Sequence, residues 1–145
     1  MKYGIGIDVS KRKSTIAVLS AAGELIVEPF EINHDIEGVK LLEEKIKDIP
    51  KEDLKIVMEE TRTYHLPILG YLLDKGYFVV AENALKNKKY LDWGLRKVKT
   101  DKKDSLKLAE YCCDNWYKLN KIRENDEIYN NLRFLSRRYL DNVAI

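Results

Sequence analysis

Two cysteines, two histidines, three prolines and no apolar run near the roughly 20 residues needed to span a bilayer: the 145-residue chain is defined first by what it has little of. Each scarcity removes a class of function. Cys112 and Cys113 are neighbours, which rarely bond to each other, so the chain has no disulfide framework. Without further ligands at metal-site spacing they read as buried thiols rather than half of a zinc site. The N-terminal "MKYGIGIDVSKRKS" lacks the long apolar core of a secretory signal, which points to a cytoplasmic protein without membrane attachment.

What remains is ordinary in amount and uneven in placement. A hydrophobic content of 45% with 34% charged residues suits a single globular domain with a real core. The net charge of +2 argues for no partner, but the basic residues cluster. Lys86, Lys88, Lys89, Arg96, Lys97, Lys99, Lys102, Lys103 and Lys107 face only Asp92, Asp101 and Asp104 within the same stretch. With Tyr90 and Trp93 interleaved, this run has what a nucleic-acid backbone and its bases would need. The alternative is a solvated lysine-rich face.

Periodicity divides the chain into elements. "KYGIGIDVS" alternates, setting Tyr3, Ile5 and Ile7 against Gly4, Gly6 and Asp8, a strand whose glycines admit a close neighbour. "STIAVLS" and "LIVEPFEI" continue it as an antiparallel meander, and Pro29 puts the third strand at an edge or a bulge. A helix capped by Asp35 follows, with Ile36, Val39, Leu42, Ile46 and Ile49 on one side. Then come the strand "LKIVMEE", the helix "LPILGYLLDKG", the strand "YFVVAE" and further helices: an α/β fold with a mixed sheet. The last helix carries a stripe of Ile128, Leu132, Leu135, Tyr139 and Val143, the spacing of a seam expected to pair it with a second copy of the chain; the alternative is that it finishes the domain's own core.

The acids have the placement that chemistry requires. Asp8 ends the first strand, and Glu59 and Glu60 end the fourth, at the carboxyl edge where open α/β sheets bind ligands. Asp101 and Asp104 share one helix face and can descend onto the same point. Four gathered carboxylates cannot all stay ionised without cations between them. Hard oxygen donors favour Mg²⁺ or Mn²⁺, the ions that serve phosphoryl transfer on nucleic acid. Alternation puts Lys55, Val57 and Glu59 on one face and Glu60 on the other, so Glu59 is the expected ligand. His65 reads as a surface or capping residue, and Trp93 and Trp116 as partly buried anchors.

"GIDVSK" at Gly6–Lys11, "MEETRTYH" at Met58–His65 and "KTDKKDSLKLAEY" at Lys99–Tyr111 resemble the three signatures of the DEDD insertion-sequence transposases, a family that includes the Piv/MooV DNA invertases. The resemblance implies a RuvC-like, ribonuclease-H-like mixed sheet flanked by helices, with a C-terminal helix extending from it. It implies that Asp8, Glu59, Asp101 and Asp104 bind divalent metal and act catalytically; the clustered charge, rather than the resemblance, puts Lys97, Lys99, Lys102 and Lys103, with Lys11 just past Asp8, along the nucleic acid. The resemblance also implies DNA as substrate, a guide or structural RNA, and several protomers acting together. The chain departs from the family where E-A-T-G becomes "EETR", with Arg62 in the glycine's place. Family members also carry a serine nucleophile in a further domain. Residues 1–120 are therefore expected to be the catalytic domain and 121–145 the start of a helical connection to that second domain. Two other readings stay open: a stand-alone, Mg²⁺-dependent RuvC-like junction nuclease, and a non-catalytic module that binds nucleic acid.

Overall fold

Alternation in strand β1 (Tyr3–Val9) sends Ile5, Ile7 and Val9 into the main core and turns Gly4, Gly6 and Asp8 to the opposite side. The computed structural model, which describes residues 1–82, 101–120 and 127–143, builds a five-stranded sheet around that strand. β2 (Lys13–Ser20) pairs antiparallel with β1, and β3 (Leu25–Asn33) antiparallel with β2. β4 (Leu54–Glu59) and β5 (Phe78–Glu82) then run parallel to β1, giving the order β3-β2-β1-β4-β5. Pro29 sits where expected on both counts. β3 is an edge, and between the pairs Ile16–Phe30 and Val18–Val27 it takes an extra residue, so the missing proline N–H breaks no regular ladder.

Helix α1 (Ile36–Ile46) starts where the Asp35 carboxylate accepts the Gly38 N–H at 2.8 Å. It buries Val39, Leu42 and Ile46. α2 (Leu66–Asp74) has Pro67 in its first turn and ends before Gly76, whose φ of +85° a side chain would resist. Both helices contribute to the aliphatic core on the Ile5/Ile7 side of the sheet. α3 (Asp101–Asp114) covers the glycine side.

The last helix, α4 (Glu127–Val143), docks on α2. Gly70 makes the crossing possible: a Cβ there would stand 2.3 Å from the Leu132 carbonyl oxygen and 2.7 Å from Ser136 Cβ. Leu132 and Leu140 enter the core, and Asp74 accepts hydrogen bonds from Arg133 Nε at 2.9 Å and Arg137 Nε at 3.0 Å. The expected apolar stripe is therefore split. Leu132 is buried, but Leu135 and Tyr139 remain 58% and 40% exposed, and the buried ridge runs through Leu132, Ser136 and Leu140 instead. The side chains of Ile128 and Val143 fall outside the described residues. Among the described residues no helix is long and apolar enough to cross a membrane.

Candidate metal centre

The glycine side of β1 sets the height of everything above it. A Cβ on Gly6 would lie 2.2 Å from the Ser105 carbonyl oxygen and 2.4 Å from Ala109 N. One on Gly4 would lie 2.7 Å from Cys113 Sγ and 2.9 Å from the Ala109 carbonyl oxygen. α3 thus lies backbone against backbone on β1, through the small residues Ser105 and Ala109, both fully buried. Four helical residues rise about 6 Å and two strand residues about 6.6 Å, so the two elements stay in step. Ala109 and Cys113 cover Gly4, and Ser105 and Ala109 cover Gly6. One step further, the Asp101/Asp104 turn arrives over Asp8.

Electrostatics reports the same meeting. The Asp8 carboxyl is pushed up from 3.8 to about 7. Burial is the largest cause, followed by the charges of Asp104 and Asp101, with Glu59 contributing as well. β4 brings Glu59 there: Ile7 pairs with Met58, so Glu59 stands one step on, beside Asp8. Val57 packs in the small cluster with Leu108 and Cys112 of α3, and alternation gives Glu59 that same side. Glu60 is exposed, and its charge acts on His65 instead.

The four acids are electrostatic neighbours, not a finished cage. Among the described residues, no three His, Cys, Asp or Glu side chains close around a point as metal ligands do. The donor set itself is right for a hard divalent cation: carboxylate oxygens only, one of them buried and crowded enough to be kept protonated to near neutrality.

The cations expected nearby are only partly described. Lys11 is exposed in the β1–β2 turn, and Lys102 and Lys103 are exposed on the first turn of α3. Lys97, Lys99 and the rest of the run from Lys86 lie outside the described residues. Sequence reasoning missed Lys13. It pairs with Glu31 at 3.0 Å, and its pKa is raised first by that partner and further by Asp101, which places a cation near the acids. Glu82 was missed as well: it pairs with Glu59 across β4 and β5, and its place at a strand end was the available signal. His65 stands at the N-cap of α2, as one half of the expectation had it, but it makes no side-chain cap there and is not a surface residue. It is buried, accepts the Thr61 N–H on Nδ1 at 3.2 Å, and has its pKa lowered chiefly by burial, so it closes the turn as a neutral ring. The thiols are as expected, with Cys112 buried, Cys113 half-buried and both unbridged.

A family model described as a transposase, of the IS110 DEDD type, matches residues 5–144. The chain belongs to the DEDD transposase family. Its fold is RuvC-like. A structure titled as Thermus thermophilus RuvC aligns with a TM-score of 0.56 at 14% identity, covering 80% of this chain and 96% of that one. A second, titled as T. thermophilus RuvC in complex with a Holliday junction substrate, aligns with a TM-score of 0.54 at 14% identity, covering 81% and 96%. No curated protein matches the chain significantly in sequence.

Family membership also explains Arg62. This residue stands at φ +50°, the left-handed region that favours glycine, and glycine is what the resembling motif has there.

Proposed function

We propose that Asp8, Glu59, Asp101 and Asp104 hold divalent cations, Mg²⁺ or Mn²⁺, and that the chain is the metal-binding catalytic domain of an enzyme that cuts and joins DNA. One observation carries this reading: Asp8 is partly buried at a strand end beneath two further acids and beside a third, an arrangement that costs stability unless a cation enters it. When bound, the cation supplies Lewis-acid polarisation of a phosphodiester. The acids orient it from two strands and one helix whose spacing is fixed by Gly4 and Gly6. Lys11, Lys102 and Lys103, with Lys97 and Lys99 from the same basic run, attract the DNA backbone. A guide or structural RNA, as the family resemblance implies, would use the same cationic surface. The serine nucleophile that the resemblance implies would come from a further domain.

A second reading has one observation in its favour. The fold spans nearly the whole of a RuvC chain, whose structure is titled as a Holliday junction complex, so little of that fold is missing here. Incubation with Mn²⁺ and either a four-way junction or linear duplex separates the two. Nicking of both, lost in Asp104→Asn and Glu59→Gln but kept in Glu60→Gln, is the expected result. A strong preference for the junction would favour the nuclease. Acid variants that nick as fast as the wild type would remove these residues from the reaction.

A further inference from the structure

A cleft of ≈ 590 Å³ opens between the β1–β2 turn, the segment leading into α2 and the outer side of α4. Its size lies within the range of about 300–1,000 Å³ typical of clefts that hold small molecules. Lys11 and Arg12 form one lip and Arg138 stands on α4, with Tyr64, Leu135 and Tyr139 among the walls. Among the described residues no acid lines it. We propose that this cleft takes an unpaired DNA strand, bases against Tyr64, Leu135 and Tyr139 and phosphates against Lys11, Arg12 and Arg138.

The combination selects its occupant. Cations alone would serve a duplex, whose bases are stacked inside and whose phosphates face out. Aromatic and apolar walls between cationic lips gain contacts only from bases that have left the stack. A second copy of the same face is disfavoured, because two-fold pairing would bring like charges together. Position supports a DNA strand in particular. Lys11 follows Asp8 closely in the β1–β2 turn, and Thr63 and Tyr64 follow Glu59 through the Arg62 turn. A strand crossing that turn from the acids arrives in the cleft, on the side of the sheet away from α3. The inference therefore rests on the proposed function for the identity of its strand, and it gives the substrate an open segment beside the cut.

Fluorescence anisotropy of the full chain in EDTA, with labelled oligothymidine, RNA of the same length and blunt duplex, tests it. Arg138→Glu and Tyr139→Leu should each weaken oligothymidine binding roughly tenfold and change duplex binding by less than about twofold. Arg12→Glu, on the same exposed turn, supplies the same test should either α4 variant fail to fold by circular dichroism. Asp8→Asn should leave oligothymidine binding intact, so loss of metal function and loss of the cleft are told apart. Oligothymidine binding unchanged in folded variants overturns the proposal, as does tighter binding of RNA than of DNA. Variants that alter only self-association in sedimentation would give the cleft to a second copy.

Discussion

The two sides of the sheet are built to different rules. Toward α1, α2 and α4, large side chains meet: Ile5, Ile7, Ile56 and Met58 interlock with Leu42, Ile68 and Leu72, all fully buried. Toward α3, the sheet offers Gly4 and Gly6 and the helix offers Ser105 and Ala109, so little more than backbone separates them. The first side removes most of the apolar area from water, at roughly 25 cal/mol per Å², and so carries most of the stability. The second gives up that area for position. A helix resting on glycines has one height and one register, which is what four acids on three elements need if they are to meet. Stability and placement are thus handled on opposite faces.

That division can be broken from either side. Leu72→Ala opens a cavity in the thick core and should cost about 3–4 kcal/mol in urea unfolding. The folded fraction should still show its full response to Mn²⁺. A Mn²⁺ response lost in step with stability would mean that the faces are not independent. Gly6→Ala should cost less, about 2–3 kcal/mol, because α3 must lift to admit one methyl group. It should nevertheless abolish the Mn²⁺ response, since Asp101 and Asp104 lift with the helix. Retained ion binding in that variant would show that the acids do not depend on the close approach. The smallest effect belongs to the turn between the faces. Arg62→Gly relieves a left-handed residue and should stabilise the chain by about 0.5 kcal/mol. A loss of stability there would mean that the Arg62 side chain makes contacts worth more than the strain.

Much of this was legible because strands repeat every two residues. Alternation in "GIGID" gave β1 its two faces and put Asp8 with the glycines, and the same period chose Glu59 over Glu60. The helix that presses on those glycines was not nameable from β1 alone. Its register appears only when small residues four apart in α3 are laid on residues two apart in β1. The C-terminal helix shows the opposite failure. Its stripe of large apolar residues pointed to Leu135 and Tyr139, yet the contact with α2 is made through Ser136, a small residue opposite Gly70. Hydrophobic patterning finds faces that seek burial by bulk and misses those that achieve it by closeness. The basic run could be read as composition, and most of it lies outside the described residues.

The central claim, that the Asp8 cluster is arranged for a divalent cation, is tested most directly by thermal melts of the wild type and Asp8→Asn, with and without Mn²⁺, between pH 5 and pH 8. In the fold Asp8 holds its proton to about pH 7, against 3.8 as its ordinary value. The stability this adds is complete below the lower value and lost as pH rises through the upper one. His34 and His65, with pKa values lowered by burial, gain stability as pH rises, but equally in both proteins. The difference between the two proteins therefore isolates Asp8. Without metal, the wild type should fall relative to Asp8→Asn by about 3–6 °C between pH 5 and pH 8. Mn²⁺ at pH 8 should restore the wild type and leave Asp8→Asn unmoved. Equal Mn²⁺ shifts in both proteins, or none in either, would contradict the account.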